Sequence, residues 1–273
     1  MKGMLNRFRP KTAINKIHDK NQELLQLGRC VKSKLHASIE PKNEAVVKHL
    51  IENNSRAVII SGNGPSLKDI DYNLLPENPI IFRSNLFFLE DKYYLGKNID
   101  AYFWSLYEEN LQDKLYEIII SKKYHFGSYF FPMDLNKFNN KRIKINKLHE
   151  STFQPSYDHW AIIATKPELS RLMMSRPLPT TGLQMIAVAM ILGYTNIYIV
   201  GIDFYQSTDK RYAFEIPATI KNAMDAKHTT PGYEKGAHTY EYDLFFLFYL
   251  IKLYPNVKLH TLSKNSIMSS ILD

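Results

Sequence analysis

The sequence predicts an α/β fold: a mostly parallel sheet flanked by helices, with a lid over one edge. Three observations carry this. Short apolar, β-branched runs such as Ala57–Ser61, Pro79–Arg83 and Asn196–Val200 alternate with longer apolar runs of helical length. Glycine punctuates the strand ends, as in Gly62-Asn63-Gly64 and Gly201-Ile202-Asp203. Strands alternating with helices build parallel sheets joined by right-handed crossovers.

The elements follow in order. In the first 48 residues, Ile14, Ile17, Leu24, Val31 and Leu35 lie at helical spacing, which predicts a basic amphipathic helix over about 12–36. Pro41 opens a second short helix to about His49, and Asn53-Asn54-Ser55 is a turn. Residues 1–56 therefore read as a basic helical extension, and 57–273 as the catalytic domain. The strands Ala57–Ser61 and Pro79–Arg83 come next, with Ala101–Trp104 as a third. Residues 107–175 lack punctuation and, with 206–237, read as insertions or lids. Thr180-Thr181-Gly182 starts a helix over Leu183–Leu192, which Gly193-Tyr194 ends. The strand Asn196–Val200, a buried helix over Leu244–Lys252 and a last strand over Val257–Leu262 complete the pattern.

Composition narrows the function. The chain has 273 residues, 45% apolar and 23% charged, with 18 Tyr and 15 Phe, enough for a sizeable core. Cys30 is the single cysteine, so an intrachain disulfide or a cysteine-based zinc site is excluded, and a reducing cytoplasm is the simplest compartment. No secretory signal pattern opens the chain. The longest apolar stretches have eight residues, against the roughly 20 that a membrane helix needs. Residues 1–48 hold eleven Lys/Arg against four Asp/Glu, seven of the eight net positive charges. That arm can pack on the body or on a sister subunit, lie on anionic membrane, or bind nucleic acid. The near-neutral body argues against nucleic acid as the main partner.

Several residues could carry chemistry. Gly62-Asn63-Gly64-Pro65-Ser66 directly follows a strand, where glycines admit a ligand to the backbone and N–H groups can cradle a phosphate. It is neither G-x-G-x-x-G nor a Walker loop, and it also suits a plain turn with Ser66 or Asp69 as a cap. Asn85 follows the second strand and can donate and accept toward a nucleotide or sugar. Thr180, Thr181 and Gly182 open a helix, a setting for an anion or for a simple cap. Gly201 and Asp203 lie at a strand's carboxyl end, where open α/β sheets bind ligands. Tyr205 and Tyr212 bracket a polar loop, and phenols can donate to a departing phosphate. His238, with Asp243 five residues on, is the candidate general base. Asp69-Ile70-Asp71 matches D-x-D formally but falls in a turn, where it supports local capping. H-E-x-x-H is absent, so no metal ligand is assigned.

These segments resemble the bacterial lipooligosaccharide sialyltransferases of glycosyltransferase family 42. The resemblance runs through Ile60–Leu67, Asp71-Tyr72, Leu75-Pro76, Phe82-Arg83-Ser84-Asn85 and Glu90–Lys97. It continues through Thr180-Thr181-Gly182, Leu192-Gly193-Tyr194, Gly201–Tyr205, Tyr212-Ala213-Phe214, and His238 with Asp243, over about residues 57–266. It implies a Rossmann-like nucleotide-sugar-binding sheet, a GT-A-like variant, with a lid near 206–237. It implies inverting transfer of sialic acid from CMP-sialic acid to a galactose hydroxyl of lipooligosaccharide or a similar glycan (α-2,3), with no essential cofactor or divalent metal. By position, Asn63, Gly64, Ser66 and Asn85 would hold the CMP part. Thr180, Thr181 and Gly182 would lie along the donor, with Gly201 and Asp203 at the nucleotide site. Tyr205 and Tyr212 would steady the leaving phosphate, and His238 would deprotonate the acceptor. Where the family commonly has an Arg before its Ile-Thr-Ser-Gly, this chain has Leu178, with Arg176 two residues earlier. The expected setting is the cytoplasmic face of a bacterial inner membrane, with the arm docked on lipid or a sister subunit in a homo-oligomer. A different nucleotide-dependent transferase is the alternative enzyme, and a basic adaptor the non-enzymatic one.

Overall fold

In the computed structural model, residues 48–104, 117–119, 121–131, 156–173, 177–204, 212–225 and 238–272 are described. Residues 48–52 are helical, so the helix expected to end at His49 runs on; its start lies outside the described residues. In chain order the strands are β1 (Val58–Ser61), β2 (Ile80–Ser84), β3 (Asn98–Ile99), β4 (Ala101–Phe103), β5 (His125–Phe126), β6 (Tyr129–Phe131) and β7 (Ser156–Asp158). Helices α1 (His159–Ala164), α2 (Pro167–Met173) and α3 (Thr181–Ile191) follow, then β8 (Asn196–Val200) and α4 (Ala218–Asp225). The chain closes with α5 (Tyr240–Leu253), β9 (Lys258–Thr261) and α6 (Ile267–Leu272).

Seven strands form one sheet in the order β7-β6-β4-β2-β1-β8-β9, every neighbouring pair parallel. β3 and β5 form a separate parallel pair. The chain builds outward from β1 to β7, then returns to lay β8 on the other side of β1. The order therefore reverses between β1 and β8, the place where open sheets of this kind bind ligands at their carboxyl ends.

Side chains alternate across the sheet, as strand geometry requires. On one face Val58, Ile60, Ile80, Phe82, Phe103, Ile197 and Ile199 pack under α1, α2, α3 and α5. Phe103 and Phe130 stack there at 4.5 Å. On the other face Ile59 and Val200 meet Leu67, Tyr94, Leu95 and Phe214, and Tyr102 and Tyr129 meet Phe87, Phe88 and Ile220. That second face is covered chiefly by single-turn helical segments (Pro65–Asp69, Phe87–Leu89) and loops.

Arg83 of β2 sits within this second face, fully buried. Its guanidinium donates to the Glu90 carboxylate at 2.8 Å and lies 4.7 Å from the Phe87 ring centre. Tyr124 donates to the other oxygen of Glu90 at 2.7 Å. A charge inside an apolar strand demands a partner, and the turn Phe87–Leu89 brings it back seven residues later.

One expectation is corrected. The described residues of 107–175 do not read as an insertion: β6 and β7 are integral strands of the main sheet, and α1 and α2 pack on it. These strands have three residues each and are paired with partners distant in the chain. Within 206–237, Ala213 and Phe214 are core residues beneath β1 and β8. Residues 205–211 and 226–237 lie outside the described residues.

Candidate active site

The site grows from two loops that cross at the carboxyl ends of β1 and β8. Gly62 N–H donates to Val200 O at 2.9 Å and Gly64 N–H to Gly201 O at 2.8 Å. Gly201 adopts φ +67, and a Cβ placed on Gly62 would stand 2.1 Å from Gly201 O. The backbones touch so closely that side chains are excluded, which is why both strand ends carry glycine.

Ser66 and Asp203 lock the crossing. The Ser66 amide donates to the Asp203 carboxylate at 2.9 Å, and the Ser66 hydroxyl accepts the Gly201 amide at 3.0 Å. Neither Ser66 nor Asp69 caps the turn after the glycine loop; Asp203 does so from the other strand. Burial pushes the Asp203 carboxyl above its ordinary range, reinforced by the Asp69 charge and opposed by the bonds from Ser66. Asp71, by contrast, takes the local capping role expected of it, accepting the Asn73 amide at 3.1 Å.

Asn63 and Asn85 join this junction to the neighbouring elements. Asn63 Nδ2 donates to Ser84 O at 2.9 Å, and Asn63 O accepts the Ala213 amide at 2.8 Å, which holds Tyr212 beside the loop. Asn63 Oδ1 is buried with no partner among the described residues. Asn85 stands at φ +50 past β2. Its Nδ2 lies 3.5 Å from Thr181 Oγ1, bridging the β2 end to the start of α3.

At α3 the Thr180 hydroxyl does not cap the helix; the buried Asp243 carboxylate takes the Thr180 amide instead, at 2.9 Å. Gly182 lies against Ile202, where a Cβ would stand 2.9 Å from that side chain. The amides of Gly182 and Leu183, in the first turn, have no acceptor within the helix and suit an anion.

His238 precedes α5, whose first turn Thr239 caps through the Tyr242 amide at 3.2 Å. Its Nδ1 lies 2.7 Å from Leu178 O. A carbonyl can only accept, so Nδ1 carries the hydrogen, and in the neutral ring the basic lone pair is on Nε2. Leu178, the position where the family pattern has Arg, thus contributes its backbone to the histidine.

Asn63, Gly64, Ser66, Gly201 and Asp203 therefore form one bonded junction, to which Asn85, Tyr212, Thr180, Thr181, Gly182 and His238 attach through the contacts above. Tyr205 and Arg176 lie outside the described residues. Sequence reasoning missed Gln184, which is buried in α3 and donates to Pro179 O at 2.7 Å. A glutamine in the otherwise apolar run Leu183–Leu192 was the available signal, since a buried amide needs partners. Among the described residues, no group of three or more His, Cys, Asp or Glu could hold a metal ion, and no helix is long and apolar enough to cross a membrane.

The parallel sheet carries a glycine-lined junction at its switch point, with a histidine beside a helix start, in the place where open α/β sheets bind ligands. Residues 56–272 match the model of the alpha-2,3-sialyltransferase (CST-I) family, and the chain belongs to that family. Solved structures agree. The monofunctional alpha-2,3-sialyltransferase Cst-I of Campylobacter jejuni is 29% identical, with 79% of this chain and 78% of that chain covered and a TM-score of 0.64. The sialyltransferase CstII of Campylobacter jejuni in complex with CMP-3FNeuAc is 31% identical, covering 80% and 85%, with a TM-score of 0.62. CST-II in complex with a trisaccharide acceptor and CMP is 30% identical over the same shares, with a TM-score of 0.61. An uncharacterized protein of Haemophilus influenzae is 34% identical over 87 residues, which span 32% of this chain and 37% of that protein.

Proposed function

We propose that this chain transfers sialic acid from CMP-sialic acid to the 3-hydroxyl of a terminal galactose, by inversion and without an essential metal. The observation that carries the reading is the bonded junction of the β1 and β8 loops at the switch point, with His238 held by Leu178 O beside the start of α3. Related sialyltransferases solved with CMP, with a CMP-sugar analogue and with a trisaccharide acceptor support it.

In this reading the cytidine and ribose lie over Asn63, Gly64, Ser66 and Asn85, and Asn63 Oδ1 takes a donor hydrogen that none of the described residues supplies. The phosphate and the sugar carboxylate face the first turn of α3 at Thr180–Gly182. Nε2 of His238 takes the proton of the acceptor hydroxyl as its oxygen attacks the anomeric carbon. The bond from that carbon to the phosphate oxygen breaks, and its electron pair leaves with CMP. Tyr205 and Tyr212 donate to that phosphate, stabilising charge as it develops. Gly201 and Asp203 keep the nucleotide loop in place.

Incubation with CMP-sialic acid and lactose tests this: CMP and sialyl-lactose are expected, with inverted configuration and unchanged rate in EDTA. Absence of any sialylated product overturns the reading. Sialyl-lactose as a competing acceptor reports whether a second sialic acid is added. The acceptor in the cell is proposed to be a lipooligosaccharide or a similar glycan, met at the cytoplasmic face of the inner membrane of a bacterium. The basic arm would dock there on anionic lipid, or on a sister subunit.

A further inference from the structure

We propose that Asp243 and Gln184 are positioning residues for the His238 imidazole, acting through the backbone of Leu178-Pro179-Thr180; this rests on the reading of His238 as the base. The three residues are held one after another. Leu178 O accepts from His238 Nδ1 at 2.7 Å, Pro179 O accepts from Gln184 Nε2 at 2.7 Å, and the Thr180 amide donates to Asp243 Oδ1 at 2.9 Å. Gln184 is itself fixed: its Oε1 accepts from Trp160 Nε1 and from His159 Nε2, both at 2.9 Å. Because Oε1 receives both ring nitrogens, Nε2 of the amide must face Pro179, and His159 carries its hydrogen on Nε2. Asp243, Gln184 and His159 are all buried, so the network has no solvent to substitute for a lost bond.

The clamp closes a loop between two elements. His238 enters α5 and Asp243 lies in its first turn, while Leu178 and Thr180 lead into α3. One bond therefore aims the imidazole, and the other holds the segment whose Leu178 carbonyl does the aiming. A hydrogen bond from Nδ1 to a carbonyl stabilises the imidazolium and raises the basicity of Nε2. If the segment slips, the ring turns and the base weakens together.

The test uses the full chain with Asp243→Ala, Asp243→Asn and Gln184→Met, the last keeping volume while removing the bonds. Long-range 1H–15N spectra give the tautomer and pKa of His238 without substrate, its signals assigned by their loss in His238→Ala. Kinetics give kcat and KM for CMP-sialic acid and lactose across pH. Asp243→Ala and Gln184→Met are expected to lower kcat on the order of 100-fold. The acid limb of the profile and the His238 pKa should move together to lower pH. Asn at 243 can still accept the Thr180 amide, so Asp243→Asn recovers most of what Asp243→Ala loses. An unchanged His238 tautomer and pKa in both Asp243→Ala and Gln184→Met overturns the proposal. If the wild-type protein makes no sialyl-lactose, it is the functional reading that fails, and the spectra still decide the positioning.

Discussion

Asp203 holds the amide of Ser66 at 2.9 Å across 137 positions of chain, tying the end of β8 to the turn that follows β1. Asp203→Ala leaves that amide without its acceptor and is expected to cost about 1–2 kcal/mol, the usual worth of a helix cap. Asp203→Asn keeps an oxygen for the amide. The pH dependence separates the two. The Asp203 carboxyl is raised above 3.8 in the folded protein, so there the folded state binds a proton before the unfolded chain does. Charged Asp203 therefore penalises the fold above its folded pKa, and the penalty is released as pH falls toward 3.8. Asp203→Asn should be at least as stable as wild type at neutral pH, with an advantage that shrinks on acidification. Urea melts at several pH values check this.

The Arg83–Glu90 pair makes a stability prediction with a built-in control. Glu90→Gln leaves a fully buried guanidinium without its counter-charge, an expected loss of about 3–5 kcal/mol. Replacing both residues by Leu removes the charges together and should cost far less. Equal losses in the two variants, by denaturant titration, would contradict the burial argument.

Glycine substitutions distinguish close approach from backbone conformation. Gly62→Ala drives a Cβ to 2.1 Å from a backbone oxygen, and neither chain can yield without parting β1 from β8. Loss of soluble folded protein is expected. Gly96 has φ +81 with nothing near its Cβ, so Gly96→Ala should cost only about 1–2 kcal/mol of conformational strain, read from thermal melts.

The catalytic assignments predict separate defects. His238→Ala should lower kcat by about 10²–10⁴-fold while CMP still stabilises the protein in a thermal-shift assay. Tyr205→Phe with Tyr212→Phe should cost at least about 10²-fold in kcat with an unchanged melting temperature. Normal turnover in either variant would remove that group from the mechanism.

Deleting residues 1–45, where most of the net positive charge lies, should weaken binding to vesicles rich in phosphatidylglycerol. Turnover of soluble lactose should be retained. Equal vesicle binding before and after deletion rejects the membrane role.

Legibility followed local signal strength. β8 was read to the residue, because Ile197-Tyr198-Ile199-Val200 is a continuous apolar run closed by a glycine. The glycine loops were legible as strand ends for the same reason: each is marked by its own neighbours. α5 begins at Tyr240, four residues before the expected Leu244, since its first turn is polar and Thr239 supplies the cap. β7 escaped notice because Ser156-Tyr157-Asp158 has no apolar run, and the pairing of β6 and β7 is decided by partners distant in the chain. The Arg83–Glu90 bond and the clamp on Leu178–Thr180 were hidden for a related reason. A sequence shows the charges and amides, but only the fold shows which ones have been taken out of water together.

The return of the chain from β7 to β8 also governs when the molecule can work. In chain order β1, β2, β4, β6 and β7 all precede β8, so until β8 is made β1 lacks the neighbour on its other side. The glycine loop after β1 has no Gly201 or Asp203 to close on until residue 203 has emerged, and His238 and Asp243 come later still. A truncated product ending before these positions carries the glycine loop but no clasp, and unpaired strand edges invite association with other chains. The site is therefore complete only when the carboxyl-terminal part of the polypeptide has closed onto the strands made before it.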